Sequence, residues 1–465
     1  MNSLAVVILA AGLGKRMQRD CPKVLVKTIS KSLIEHVVDT ALSLNPERLV
    51  IVTGHKKELV EEALAKHNAL PSLSYAFQAK QLGTGHALQT ALPQLAGFNG
   101  TVLVLYGDVP LIRTQTLKTL VDLHEQNQAA LSLIALHDNH DHDYGRVMRD
   151  AAGKIEKIVE LKDCSRQDLL IREFNSGVYA MQSALLEPAL ASLKNNNSQG
   201  EYYLTDIIGY AYNAGLEISS LLIHDAEEVQ GVNTPHDLCI VNKTLRDRKI
   251  YALIEAGVEI EDPSSLFIDE QVEVASGVKL GPQITLKGNT KILCGANLEG
   301  CAYLKDTFVA EGAVIKFGVR SENAIIGTGV SVGPFAHLRP GTKLEENSHV
   351  GNFVEVKNSN LKGGVKASHL TYLGDCVIGT GTNIGAGTIT CNYDGYAKHQ
   401  TVIGEGVFVG SDTCFVAPVK VGDGATIGAG SVITKDVAPH SLALSRAPQV
   451  EKKEWSKHNR KIRGG

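Results

Sequence analysis

The chain has 465 residues, 43% of them hydrophobic and 21% charged, and its 46 basic and 50 acidic side chains leave a net charge of −4. That length exceeds one compact core and predicts two or three domains. The near-neutral balance offers no field for nucleic acid, no apolar run reaches the roughly 20 residues of a membrane span, and no leader precedes the first strand, so a cytoplasmic protein is expected.

In chain order, Leu4–Ala11 predicts a buried strand opening into Gly12-Leu13-Gly14-Lys15-Arg16-Met17, with Pro22-Lys23 close behind. Further strands are predicted at Arg48–Thr53, Leu73–Gln78, Thr101–Tyr106, Ala130–Leu136 and Ser176–Met181. Helical spacing fills Leu33–Leu44, Lys56–Lys66, Gly85–Leu95 and Thr114–Gln126. Such alternation builds an α/β domain on a mostly parallel sheet, whose ligands sit beyond the carboxyl ends of the strands. Met17 stands where a dinucleotide fingerprint needs its third glycine, and no Gly-Lys-Ser/Thr follows to make a Walker loop. Lys15, Arg16 and Lys23 beside turn N–H groups still suit phosphate, although a plain structural turn reads the same residues. Gln78-Ala79-Lys80-Gln81-Leu82-Gly83-Thr84-Gly85-His86-Ala87 offers amides for a base edge. Tyr106-Gly107-Asp108 ends a strand with a carboxylate, which is either a turn cap or a ligand for a hard cation.

His137-Asp138-Asn139-His140-Asp141-His142-Asp143 resembles a metal nest but reads better as a solvated loop. Pro235–Ala256 predicts a linking helix. Beyond it the composition changes, since residues 1–250 hold 15 of the 45 glycines and the shorter remainder holds 30.

In that second half an aliphatic or aromatic residue recurs every sixth position. One phase runs Ile268, Val274, Leu280, Leu286, Ile292, Leu298, Leu304; a second Ile326, Val332, Leu338, Leu344, Val350, Val356; a third Ile403, Val409, Phe415, Val421, Ile427, Ile433. Six residues fit neither a helix nor an amphipathic strand, but they fit one short strand and one turn of a solenoid, three such units closing a triangular coil. The phase slips near 305–308 and 357–402 predict protruding loops, among them Cys391-Asn392-Tyr393-Asp394-Gly395-Tyr396. Expected domain limits are 1–233, a linking helix 234–256, a β-helix 257–445 and a basic tail 446–465 in which Trp455 hints at docking. The eight cysteines are scattered with no Cys-x-x-Cys pair, as expected of free thiols rather than a zinc site.

Leu9-Ala10-Ala11-Gly12-x-Gly14-x-Arg16-Met17 with Pro22-Lys23 resembles the signature of sugar-1-phosphate nucleotidyltransferases. Tyr144-Gly145-Arg146, Asn175-Ser176-Gly177, Gly200-Glu201-Tyr202-Tyr203-Leu204-Thr205-Asp206 and Gly231-Val232-Asn233 narrow the match. With the solenoid included, the whole chain resembles the bacterial bifunctional N-acetylglucosamine-1-phosphate uridyltransferases/glucosamine-1-phosphate acetyltransferases. The resemblance implies a Rossmann-like nucleotidyltransferase domain followed by a left-handed parallel β-helix. It also implies synthesis of UDP-N-acetylglucosamine for peptidoglycan and lipopolysaccharide, from UTP and acetyl-coenzyme A, with Mg²⁺, in a homotrimer. Arg16 and Lys23 would neutralise phosphates, and Asp108 and Asn233 would ligate Mg²⁺. Leu9, Ala10, Gly12, Gln78, Gln81, Gly83, Thr84 and Tyr106 would line the nucleotide, and Gly145, Glu160 and Asn175 the sugar.

The same resemblance makes His369 the general base of acetyl transfer and Glu355 its orienter. Arg339, Lys357, Tyr372 and Asn383 would hold glucosamine-1-phosphate. Ala386, Asn392, Tyr393, Ser411, Ala429 and Arg446 would take acetyl-coenzyme A, the sites forming between neighbouring chains. Two competing expectations are a single-activity nucleotidyltransferase whose β-helix only oligomerises, and a binding scaffold of the translation-factor assembly type. The second would need neither a phosphate lysine nor metal ligands.

Overall fold

The computed structural model describes residues 3–12, 21–29, 31–67, 70 and 72–457. Lys15 and Arg16, and Arg460, Lys461 and Arg463 of the tail, lie outside them. The chain divides into two compact units, Met1–Leu245 and Arg246–Gly465. Among the described residues no helix is long and apolar enough to cross a membrane. All eight cysteines are free.

Unit one is a nine-stranded sheet with helices against it. Its elements are β1 (Leu4–Leu9), α1 (Leu33–Leu42), β2 (Arg48–Thr53), α2 (Lys57–Ala63), β3 (Leu73–Phe77), α3 (Thr84–Ala91), β4 (Thr101–Tyr106), α4 (Thr114–Gln126) and β5 (Leu131–His137). There follow β6 (Arg146–Arg149), β7 (Ile155–Val159), β8 (Glu173–Gln182), α5 (Ser183–Ala191), α6 (Asp206–Asn213), β9 (Ile218–Ile223) and α7 (Pro235–Glu255). The strand order is β3-β2-β1-β4-β8-β5-β9, in which β8 alone runs antiparallel to its neighbours, and β6 and β7 form a hairpin off the edge of β8. β1, β2 and β4 carry unbroken aliphatic runs because helices cover both faces; one large buried cluster lies on each side of the sheet, and a third, smaller one gathers Val26, Leu33, Leu111, Val232, Leu238 and Val241.

The predicted strands and helices form within a few residues of their expected limits. The β6–β7 hairpin, β9, α5 and α6 had no expectation. β6 and β7 are short and charged, and α5 carries Pro188 inside it, so these three lack a clean period; α6, at eight residues, is amphipathic but short.

Unit two is the parallel β-helix that the hexad phase implies, of the left-handed kind that the family resemblance implies. Lys279 pairs with Asn297, Asn297 with Val314 and Val314 with Ser331, so each coil takes seventeen or eighteen residues. Every hexad residue of the three phases points inward and is buried, except Val274, which is half-buried against the same core. Ser and Thr at corners, such as Thr342, Thr382 and Ser431, are buried too, and donate their hydroxyls to carbonyls of their own or the next coil.

The phase slips have another meaning than predicted. From Leu304 the inner column continues at Val309, and from Val356 at Leu361: one residue is dropped at a corner and no loop leaves the coil there. At the first slip Asp306 turns the chain with φ +48°. Within 357–402, only the stretch between Cys391 and Thr401 leaves the coil. It is a small hairpin closed by a Tyr393–Lys398 bridge, with Asp394 accepting from the N–H groups of Tyr396 and Ala397. Trp455 is largely exposed.

Candidate active sites

The carboxyl ends of β1 and β4 open into a hollow of about 550 Å³, lined by Leu9, Ala10, Gly12, Lys23, Gln78, Gln81, Gly83, Thr84, Tyr106, Asp108, Glu201 and Asn233 among others. A second hollow of about 280 Å³ adds Gly145, Glu160 and Asn175, and shares Thr84, Tyr106, Asp108, Glu201 and Asn233 with the first. Every nucleotide- and sugar-side residue expected from the sequence, apart from Arg16, is therefore on this double wall. Glu201 had no assigned role, although it sits inside the quoted Gly200–Asp206 motif.

At the centre, the Lys23 ammonium donates to the Asp108 carboxylate and, at 2.6 Å, to Asn233 Oδ1. Two hard oxygen donors from strand-end and helix-start loops thus converge on one cationic point. The cap of α7 fixes Asn233: the Asp237 carboxylate accepts from the N–H groups of Asn233 and Thr234, both at 2.8 Å, and its own N–H donates to Thr234 Oγ1. Asp108 is held by its backbone, Val232 N–H donating to its carbonyl.

The wall that carries Gln78 and Gln81 is built around a tight turn. Gly83 has φ +110°, and a Cβ there would lie 2.6 Å from the Tyr202 carbonyl oxygen, so only glycine lets the two loops touch. The Gln78 amide NH₂ spends its donors on the Gly83 carbonyl and His86 Nδ1, leaving its own carbonyl oxygen as the group a ligand could meet. In the second hollow, Asn175 Oδ1 accepts from Gly177 N–H and the Tyr179 hydroxyl. Glu160 is partly buried, and this desolvation raises its carboxyl above the usual range, while the Thr205 hydroxyl, donating at 3.0 Å, pulls it back down. Burial likewise raises the phenol of Tyr106. The His137–Asp143 loop satisfies itself, Asp138 taking His140 and His142 and Asp141 taking Arg172. Among the described residues no group of three His, Cys, Asp or Glu is arranged to hold a metal.

On the β-helix the expected residues fall into two sets, separated by a corner. The strands His349–Lys357 and Lys366–Gly374 each turn that corner at a residue with positive φ, Phe353 and Leu370. Before the corner, Asn352 pairs with His369, and the column continues coil by coil through Ala386, Ser411 and Ala429 to Arg446, whose guanidinium reaches the Ala429 carbonyl at 2.7 Å. After it, Glu355 pairs in register with His337 and Tyr372. Arg339 meets Glu355 at 2.8 Å there, and Asn392 of the hairpin donates to Asp375. Asn383 lies on the face before the corner, between Lys366 and Phe408.

Within one chain, Glu355 lies past the corner from His369 and is engaged by Arg339, and His369 Nδ1 lies 2.7 Å from Asn352 Oδ1. Two further basic side chains lie beside these sets and had no expectation. Lys398 on the hairpin lies against Lys357 and pulls that ammonium below its usual value. His349, lowered chiefly by burial, stands near His369 with Lys316 and Lys366 around it. Lys398 had a signal, since it follows the singled-out loop motif by two residues; His349 had none beyond its place next to the hexad residue Val350.

Residues 6–197 match the family described as MobA-like NTP transferase domain, and residues 323–358 and 400–435 match the bacterial transferase hexapeptide (six repeats). A "Bifunctional protein GlmU" of Geotalea uraniireducens (strain Rf4) is 44% identical over 455 residues, 98% of this chain and 99% of that one. Proteins of the same name from Acinetobacter baumannii (strain AYE) and Stutzerimonas stutzeri (strain A1501) are 43% and 44% identical, over 98% and 99% of this chain and 98% and 100% of theirs. The chain belongs to the GlmU family of bifunctional proteins. It is an enzyme with a nucleotidyltransferase half and a hexapeptide acyltransferase half, and the likeness to GlmU proteins runs through both. The scaffold expectation and the single-activity expectation both fall, the first to the nucleotidyltransferase match and the second to relatives that are bifunctional along their whole length.

Proposed function

We propose that this chain makes UDP-N-acetylglucosamine in two steps. Unit two moves the acetyl group of acetyl-coenzyme A to the amine of glucosamine-1-phosphate. Unit one joins the resulting N-acetylglucosamine-1-phosphate to UTP and releases pyrophosphate. The observation that supports this best is the double hollow, in which residues from widely separated stretches meet around Asp108 and Asn233.

In unit one the sugar phosphate oxygen attacks the α-phosphorus of UTP in line, and the bond to the pyrophosphate oxygen breaks. Such transfers need positioning and charge neutralisation more than proton movement. Asp108 and Asn233 would hold Mg²⁺ at the point where the Lys23 ammonium now sits, a pair of oxygen donors that suits a hard cation. When bound, the ion supplies charge to the phosphates. Lys23 then swings to the phosphates, joined by Arg16. The Gln78 carbonyl accepts from the base, Gly83 and Thr84 seat it beside Gln81, and Glu160 and Asn175 take sugar hydroxyls.

In unit two the Asn352 carbonyl holds the proton of His369 on Nδ1, leaving Nε2 to receive a proton from the attacking amine. The thioester carbon takes the amine, and coenzyme A leaves as its thiol. The thioester carrier lies along the Ala386–Ser411–Ala429–Arg446 column with Asn392 and Tyr393 over it. Arg339, Lys357, Tyr372 and Asn383 hold the sugar phosphate. The corner between the two sets favours a site completed by a neighbouring chain of a homotrimer. An exposed apolar edge supports this: Phe317 and Phe335 meet edge-on, Phe335 stacks on Phe353, and Leu370 follows at 64% exposure. The enzyme works in the cytoplasm on soluble substrates, with no nucleic acid or membrane partner.

Purified protein given UTP, N-acetylglucosamine-1-phosphate and Mg²⁺ should release pyrophosphate, and given acetyl-coenzyme A and glucosamine-1-phosphate should release coenzyme A. Absence of the second release in active protein would reduce unit two to a scaffold. Asp237→Ala should remove the carboxylate that anchors Asn233 and raise the Mg²⁺ concentration for half-maximal pyrophosphate release about tenfold, the scale seen for partners of metal ligands. An unchanged Mg²⁺ requirement would detach Asn233 from the metal.

A further inference from the structure

Arg146 is 2% exposed, and among the described residues no carboxylate lies within ion-pair distance of it. Its guanidinium rests 4.7 Å over the Phe174 ring, its Nε has no partner, and one Nη donates to the carbonyls of His142, at 3.0 Å, and Tyr144. Keeping an uncompensated cation inside a domain costs free energy that hydrophobic packing alone would not. Arginine tolerates such a place better than lysine, since its charge is delocalised and its planar fork can serve several acceptors.

The two carbonyls belong to the segment that enters the sugar-side hollow, where Asp143, Tyr144 and Gly145 form one wall. In a planar trans peptide the C=O and the following N–H point in opposite directions. With the Tyr144 carbonyl drawn back to Arg146, the Gly145 N–H faces away from the guanidinium. No group among the described residues accepts from it. Gly145 is itself clamped from behind: its carbonyl accepts from Asn175 N–H at 2.8 Å, and a Cβ on it would meet Ile158 Cγ2 at 2.8 Å.

We infer that Arg146 is a positioning residue for uridylyl transfer, setting the Tyr144–Gly145 peptide so that the Gly145 N–H is presented to an oxygen of the sugar phosphate substrate. The inference rests on the reading of this hollow as the sugar subsite. Lysine at 146 keeps the charge but loses the planar guanidinium that stacks on Phe174 while its Nη holds both carbonyls, so its ammonium fixes the peptide less firmly. Leucine removes charge and donors together.

The test is steady-state pyrophosphate release by Arg146→Lys and Arg146→Leu, with UTP and N-acetylglucosamine-1-phosphate varied separately. For Arg146→Lys the KM for the sugar phosphate should rise about tenfold, the loss of one well-placed hydrogen bond. The KM for UTP and the kcat should stay within about twofold, and Arg146→Leu should be worse on the sugar side alone. A rise in both KM values together, or a fall in kcat with the sugar KM unchanged, would make Arg146 a core residue only and overturn the inference. So would a sugar KM that Arg146→Lys leaves at the wild-type value. Wild-type protein that turns over UTP with a different sugar phosphate, and not with this one, would instead overturn the substrate reading.

Discussion

Replacing His369 by alanine should lower coenzyme A release from acetyl-coenzyme A and glucosamine-1-phosphate by about 10²- to 10⁴-fold, the span that positioned general bases contribute. Pyrophosphate release by the same preparation should stay at the wild-type rate. The imidazole stands at the head of the column that runs through Ala386, Ser411 and Ala429, and Asn352 holds its Nδ1 so that Nε2 keeps a free lone pair. It is exposed and packs on no part of the inner core, so its loss removes chemistry without a cavity. Asn352→Ala should do part of the same damage, because the ring then loses its fixed tautomer. An alanine variant that still acetylates within a few-fold of wild type would remove His369 as the base. Pyrophosphate release that fell in parallel would mean the variant had misfolded or the two activities are not separable.

Asp108→Ala is the mirror experiment, and its expected cost is about 10³-fold in pyrophosphate release with acetyl transfer intact, since charge clamps on phosphoryl groups supply several kcal/mol of a barrier. Among the described residues, Asp108 provides the only formal negative charge in contact with the Lys23 ammonium that it shares with Asn233. Without it, Asn233 alone holds a divalent ion weakly, and the largely buried ammonium of Lys23 loses its counter-charge. Asp108→Asn keeps the shape and loses the charge, so it should fall nearly as far; a mild asparagine variant would assign Asp108 to shape rather than charge. Mg²⁺-dependent turnover of the alanine variant near the wild-type rate would put the metal elsewhere.

The hexad phases were readable because an inward position in a coil admits little but aliphatic, small or hydroxyl side chains, and the same type recurs at Leu280, Leu298 and Ile315 one coil apart. The slips were misread because a dropped residue and an inserted loop break a phase identically in one dimension. Only stacking distinguishes Leu304–Val309, which stays in the column, from the Cys391–Thr401 hairpin, which leaves it. The nucleotide wall was readable because its glycines, amides and acids follow strand ends. The contact of His369 with Asn352 was not: it depends on which side of a corner each residue falls, and the corner is made by Phe353 in a left-handed conformation that sequence gives no reason to expect of phenylalanine. The buried face of Arg146 was equally hidden, since an arginine after Tyr-Gly reads as a surface cation.

The helix α7 begins as the capped anchor of Asn233 and ends as something else. Ile250 and Leu253, on its last turns, are buried with Val258, Leu266 and Val278 in the interior of the first coils. An open solenoid would present its apolar bore to water at that end. The helix is therefore a stopper as well as a connector, and anyone cutting the gene to obtain the acetylating half alone would keep a corked tube by starting before Ile250 and an uncorked one by starting at 257, where the repeats begin.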